Sequence, residues 1–293
     1  MDTKERWPDL FIIGAQRAGS TSIYDLLRRT EGIFMSPVKE PHYFSSIADK
    51  YLSPKPIRDK KKYIELFKHA KEDQLVGEAS PTYLTDLKSA ELIHQIIPNA
   101  KIIMILRDPV ERAYSQYLLR ISNGKIYSFS DAIKEALETK DDAYKKRIIY
   151  DGLYYYGVKK FLDMFGIQNV KILLFEEFIK DPKKTIKDVL MFLGVKSEPP
   201  DYNKISHNYL TVPRNKLFEN LLNNKLVRNI GKKILSQDKA DFIVKEILGK
   251  KYAKQEMSLE DRKNLIDFYR EDVKKLQVLL GNKLPWKNFS VTF

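Results

Sequence analysis

The stretch Gly14-Ala-Gln-Arg-Ala-Gly-Ser-Thr21 holds what an anion site needs: glycines that let backbone N–H groups close on a ligand, and a basic side chain in the same turn. The spacing of Gly14 and Gly19 matches the phosphate-binding loop of nucleotide triphosphatases, but where that motif places a lysine for the β- and γ-phosphates this chain has Ser20. A triphosphate therefore fits poorly. The basic group sits inside the loop as Arg17, suited to one phosphate and the bond just beyond it, while Ser20 and Thr21 add hydroxyl and amide donors. Taken alone, the stretch also reads as a plain strand-to-helix turn with a chance pair of glycines.

A second anion site is written in Arg107-Asp-Pro-Val-Glu-Arg-Ala-Tyr-Ser115. Pro109 suits the first turn of a helix, where its missing N–H costs nothing. Arg107 then lies at a strand end and Ser115 about two turns into the helix, so the guanidinium fork and the hydroxyl can hold one phosphate between them. Asp108 reads as the helix cap. Arg112 reads as one half of a surface ion pair with Glu111 or Glu78.

The elements that must position these groups follow from periodicity. Short apolar runs over 10–13, 101–106 and 169–175 predict strands, and amphipathic stretches over 20–29, 109–121, 153–165 and 182–193 predict the helices between them. Strands separated by helices imply βαβ units and a parallel sheet, whose ligands bind at the carboxyl ends of the strands. The C-terminal part, from about residue 238, predicts helices over 239–251 and 258–280, the latter capped by Ser258 and ended by Gly281. It reads as a cover over the core rather than a catalytic unit.

The 293 residues include no cysteine, which excludes disulfides, thiolate nucleophiles, iron–sulfur clusters and Cys-ligated zinc. The 52 Lys and Arg against 39 Asp and Glu give a net charge of +13, which favours anionic partners. No run approaches the roughly 18 to 20 apolar residues of a membrane span, and the polar start has no signal-peptide core. These features predict a chain without a transmembrane segment, located in the cytoplasm. The oligomeric state is not written in the sequence.

The two loops, with Lys39-Glu-Pro-His-Tyr-Phe44 and Gly77-Glu-Ala-Ser-Pro-Thr-Tyr83 between them, resemble the sulfotransferases that use 3′-phosphoadenosine-5′-phosphosulfate (PAPS), in particular the heparan sulfate sulfotransferase-like branch and its bacterial relatives. The resemblance continues through Gly152-Leu-Tyr154, Phe175-Glu-Glu177, Asp181-Pro182, Phe192-Leu-Gly194 and 261–286. It implies a single α/β domain with a central parallel sheet flanked by helices, similar to nucleotide kinases, in which 1–8 form a tail and 238–293 the helical end. It implies that Gln16, Arg17, Ala18, Gly19, Ser20 and Thr21 hold the 5′-phosphosulfate and Arg107 with Ser115 the 3′-phosphate. A C-terminal basic loop completes the adenosine end in that family, and 208–214, with Arg214, is the candidate here. Relatives carry lysine where this chain has Arg17, and arginine is a poor proton donor.

Sulfuryl transfer needs in-line positioning, charge stabilisation on the moving group and leaving oxygen, and a base for the acceptor; it needs no metal. The resemblance of Glu40-Pro-His-Tyr-Phe44 to the family implies that Glu40 lies near the loop, which makes it the expected base, its pKa raised by burial, with His42 as the rival that otherwise orients the substrate or carboxylate. Lys39 either contacts the sulfonate or lies in solvent, and Ser80 either touches the cofactor or caps a turn. His69 and His94 read as surface or core residues. The expected cofactor is PAPS with the bisphosphate PAP as product, and the acceptor a glycan, a glycolipid or a small hydroxyl or amine compound, chosen by the loops 45–62 and 122–149. The competing readings are a small-molecule kinase and a basic nucleic-acid-binding protein. The basic runs Lys60–Lys62 and Lys145–Arg147 lack interleaved aromatics, so a solvated lysine-rich surface outranks the latter.

Overall fold

The structure, a computed structural model, describes residues 5–50, 55–122, 128–139, 143–202, 211–213, 249–251 and 257–290. Its centre is a five-stranded parallel sheet of β1 (Leu10–Ile12), β2 (Ile33–Met35), β3 (Leu75–Ala79), β4 (Lys101–Leu106) and β5 (Val170–Leu174), in the order β2-β3-β1-β4-β5. The unbroken apolar runs of β1 and β4 follow from burial on both faces, as a sheet flanked by helices requires. The fold is thus the expected α/β domain.

Flanking the sheet, in chain order, are α1 (Ser20–Arg28), α2 (Lys60–Glu65), α3 (Leu87–Ile96), α4 (Pro109–Ser122), α5 (Phe129–Glu138), α6 (Ala143–Tyr150), α7 (Tyr155–Phe165), α8 (Phe175–Lys180), α9 (Pro182–Leu193) and α10 (Leu259–Leu280). The chain leaves β1 toward β2 and β3 on one side and later returns by β4 to the other, so the connections diverge at the carboxyl ends of β1 and β4. Both expected anion loops start there.

Ends are set by local chemistry. Asp181 caps α9 by accepting the Lys184 N–H at 2.9 Å, and Gly194 closes it with φ 71°. Ser258 caps α10 through the Asp261 N–H at 3.0 Å, and Gly281 ends it, as the sequence predicts. The predicted helix over 239–251 lies outside the described residues except at Gly249–Lys251, which forms β7, antiparallel to β6 (Thr211–Pro213). That part of the expectation is corrected. No helix among the described residues is long and apolar enough to cross a membrane.

The C-terminal helix does more than cover. Asp272 accepts the N–H groups of Tyr154 (2.8 Å) and Tyr155 (3.2 Å), and the Tyr269 hydroxyl donates to the Ile149 carbonyl at 2.7 Å, tying α10 to the junction of α6 and α7. Beyond it, fully buried Trp286 packs 5.9 Å from the Tyr154 ring, and Asn288 donates to Asp108 at 2.8 Å. Its contacts thus end at the strand end that carries Arg107.

Candidate active site

The loop after β1 turns through the left-handed region at Arg17 (φ 67°) and Gly19 (φ 97°) and delivers the chain into the N-terminus of α1. A Cβ on Gly19 would sit 3.2 Å from the Phe175 ring, close enough that the ring would have to shift. Arg17 Nε donates to Ser115 Oγ at 3.2 Å, and Arg107 Nη1 donates to the Arg17 carbonyl at 3.1 Å. The two anion loops therefore face one cleft. Arg107 lies over the Phe175 ring at 4.6 Å, and its carbonyl accepts the Tyr154 hydroxyl at 3.0 Å. Gln16 accepts from Arg147 at 3.1 Å, and Arg147 is paired with Asp151 at 2.8 Å.

Guanidinium groups crowd this cleft, with Glu111 and Glu176 near Arg107. Burial, then the neighbouring guanidinium groups of Arg107 and Arg112, push Arg17 down to about 10, which still leaves it protonated at neutral pH. Burial likewise lowers Arg107, with Glu111 and Glu176 opposing the shift. Among the described residues Arg17 forms no ion pair with a carboxylate. An anion placed here relieves cation–cation repulsion.

On the other side of the sheet centre, the segment after β2 runs along the end of β3, where the Glu40 N–H donates to the Ala79 carbonyl at 2.9 Å. Glu40 (φ 62°) and His42 (φ 51°) both adopt left-handed backbone; with Arg17 they are the only non-glycine residues to do so among the described residues. One Glu40 oxygen takes the Lys39 ammonium, and the other lies 3.3 Å from His42 Nε2. His42 Nδ1 is 2.8 Å from Thr82 Oγ1. An ionised carboxylate only accepts, so Nε2 carries a hydrogen toward Glu40. Burial pushes Glu40 up, but the His42 hydrogen bond and the Lys39 charge outweigh it and hold the carboxyl at about 2. The expected raised pKa is overturned: burial is incomplete, with 32% of the side chain exposed, and two donors face it.

The two clusters meet at the turn after β3. Ser80 and Leu84 donate their N–H groups to the Ile12 (3.0 Å) and Ile13 (2.9 Å) carbonyls at the end of β1, and the same turn carries Thr82. One side of it carries the guanidinium groups of Arg17 and Arg107, and the other carries the Glu40 carboxylate.

Residues 7–277 match the family model for the sulfotransferase domain. The chain belongs to the sulfotransferase domain family. It is 27% identical over 252 residues to carbohydrate sulfotransferase 15 of Homo sapiens, covering 64% of this chain and 44% of that protein. It is 27% identical over 195 residues to heparan sulfate glucosamine 3-O-sulfotransferase 6 of Mus musculus, covering 66% of this chain and 54% of that protein. The chain thus spans about half the length of these curated relatives. Among solved structures, a sulfotransferase from Alicyclobacillus acidocaldarius superimposes with a TM-score of 0.69 at 27% identity, covering 95% of this chain and 98% of that one. A mouse sulfotransferase, SULT7A1, in complex with PAP shares the fold at a TM-score of 0.53 and 14% identity over 94% of this chain and 87% of that one.

In this sulfotransferase-domain chain, Gln16, Arg17, Ala18, Gly19, Ser20, Thr21, Arg107 and Ser115 all lie about the cleft at the ends of β1 and β4, while Arg214 and Lys216 lie outside the described residues. Asp108 caps α4 as expected, accepting the Val110 N–H at 3.0 Å. Arg112 does not: it is fully buried and donates to the Ile148 carbonyl at 2.6 Å, while Glu111 pairs with Arg262 at 2.8 Å and Glu78 is enclosed by hydroxyls. Its helical position, three before Ser115, faces α6 rather than solvent. Ser80 is fully buried, its hydroxyl donating to Glu78 and accepting the His42 N–H. His94 packs its ring 5.3 Å from Phe165, the expected packing role. Sequence reasoning missed Arg147, whose (i, i+4) spacing from Asp151 was a usable signal, and Thr82, which had none.

Proposed function

We propose that this protein transfers the sulfuryl group of PAPS to a hydroxyl or amino group of a glycan, releasing PAP. The observation that carries the proposal is the meeting of Arg17, Arg107 and Ser115 in one cation-rich cleft. That arrangement suits a ligand with phosphates at two ends, and Ser20, standing where a triphosphate loop carries lysine, argues against kinase chemistry. The loop Gln16–Thr21 and the N-terminus of α1 receive the 5′-phosphosulfate, Arg107 and Ser115 the 3′-phosphate, and residues around Arg214 the adenosine.

In the transfer, the acceptor oxygen or nitrogen forms a bond to sulfur while the sulfur–oxygen bond to the 5′-phosphate breaks. The electron pair leaves on the phosphate oxygen, where Arg17 and the loop amides take up the charge, and Glu40 receives the acceptor proton. A carboxylate held at about 2 is a weak base. Lys39 leaving Glu40 for the incoming sulfonate removes one of the groups that holds it down, and His42 keeps the carboxylate aimed. The transfer chemistry calls for no metal, since the arginine and the loop amides take up the charge on the leaving oxygen.

The glycan acceptor is supported by the carbohydrate and heparan sulfate relatives and by the chain's positive charge. A cytoplasmic location belongs to the same proposal, since a chain without cysteine has no need of an oxidising compartment. The nucleotide site is tested by titration calorimetry in the presence of EDTA. PAP binds the wild type, and Arg107→Ala loses about 1.5 to 3 kcal/mol, the range for hydrogen bonds to charged groups. Wild-type affinity in that variant removes the 3′-phosphate assignment.

A further inference from the structure

Glu78, on β3, is a fully buried carboxylate that the transfer reaction does not use. It is surrounded by hydroxyls. Tyr63 and Tyr83 donate to one oxygen at 2.9 and 2.8 Å, and Ser80 donates to the other at 2.6 Å. Each of these side chains also reaches the segment that carries Glu40 and His42. Ser80 Oγ accepts the His42 N–H at 3.0 Å, the Tyr83 hydroxyl accepts the Phe44 N–H at 3.2 Å, and the Tyr63 ring stacks on Tyr43 at 4.2 Å and 14°.

The directions of these hydrogen bonds are forced. Backbone N–H groups can only donate, so Ser80 and Tyr83 turn lone pairs to His42 and Phe44 and their hydrogens to Glu78, whose ionised form burial opposes and these hydroxyls favour. Left-handed backbone at Glu40 and His42 is strained and persists only where its surroundings over-determine it. Through Ser80 and Tyr83, hydrogen bonds run from Glu78 to the His42 and Phe44 N–H groups of that segment.

We infer that Glu78 is a positioning residue, which, through Ser80 and Tyr83, locks the His42–Phe44 backbone and thereby fixes where His42 holds Glu40 against the acceptor. The catalytic part of this inference rests on Glu40 acting as the base; the locking itself does not. Glu78→Gln keeps shape but brings an NH₂ group, a donor where three hydroxyls seek an acceptor, so at least one of these hydrogen bonds is lost or reversed.

The test reads His42 directly. Long-range ¹⁵N–¹H correlation spectra of the imidazole, assigned with His42→Gln, need no acceptor and report tautomer and hydrogen bonding. Glu78→Gln is expected to shift the His42 ring signals, to leave PAP affinity and the KM for PAPS within about twofold, and to lower kcat with desulfated heparan sulfate by about ten- to a hundredfold, the loss usual when a supporting partner of a working group is removed. Ser80→Ala, which cuts the arm to His42 alone, is expected to reproduce the shift and serves if Glu78→Gln does not fold. Unchanged His42 signals in both variants overturn the inference, as does an equal fall in PAP affinity and kcat, which marks a general fold defect. If the signals shift but Glu40→Gln turns over at the wild-type rate, the base assignment falls and takes the catalytic consequence with it.

Discussion

At the scale of single residues, the most informative quantity is the low pKa of Glu40. Its folded value of about 2 lies below the ordinary carboxylate value of about 4.3, so its ionised form stabilises the fold. That contribution is fully present above the unfolded value and is lost as pH falls toward 2. Lys39→Met removes one of the two groups that lower it, so the acid limb of kcat/KM moves up in this variant. In the wild type that limb lies below pH 4.3; a limb near 6.5, the ordinary histidine range, transfers the base role to His42. Arg17 carries a second residue-scale expectation. Its Nε is committed to Ser115 and only its terminal nitrogens remain for a ligand, a division lysine cannot make. Arg17→Lys is therefore expected to bind PAP several-fold more weakly by calorimetry, and equal affinity shows that the fork is dispensable. Arg17 was legible from residue type and neighbourhood, and Glu40 and His42 stood out only through the resemblance of their segment to the family. Glu40's pKa was not, because it depends on which groups a left-handed turn brings against the carboxylate.

At the scale of elements, the position of α6 decides whether the donor loop is held. Buried Arg112 on α4 donates to the Ile148 carbonyl at the end of α6, and α6 in turn presents Arg147 to Gln16. Arg147→Met is expected to weaken PAP binding about tenfold, the loss of roughly one charged hydrogen bond, while leaving adenosine 3′-monophosphate, which lacks the 5′ group, unaffected. Equal losses for both nucleotides contradict this. On α7, a Cβ at Gly157 would lie 2.1 Å from the Leu84 carbonyl in the turn between the two halves of the site. Gly157→Ala is expected to cost about 1–3 kcal/mol in chemical denaturation, and an unchanged midpoint shows that α7 has room to move. The strands β1 and β4 and the helices α1, α4, α9 and α10 could be read from their apolar runs, caps and terminal glycines. Strands β2 and β3 could not: Ile33–Met35 is too short to show a period, and Leu75–Ala79 contains a glycine and a buried glutamate that break the apolar pattern.

At the scale of the whole molecule, the sheet gathers four parts of the chain at the carboxyl ends of its strands: the loop after β1, the segment after β2, the turn after β3 and the strand end of β4. The C-terminal helix and Trp286 secure the last of these through Tyr154 and Asp108. The order of these parts was legible in the motifs; the bracing was not, since contacts such as that of Asp272 with Tyr154 span 118 positions and leave no local pattern. The net charge of +13 fits anionic ligands at both ends of the reaction, but the central claim concerns the group transferred. It is tested by incubating the protein with ³⁵S-labelled PAPS and desulfated heparan sulfate, with a panel of other polysaccharides, glycolipids, phenols and amines, in EDTA. The account predicts label in a glycan with one PAP formed per group transferred, lost in Arg107→Ala. Absence of label from every acceptor, with no PAP bound or formed, would contradict it.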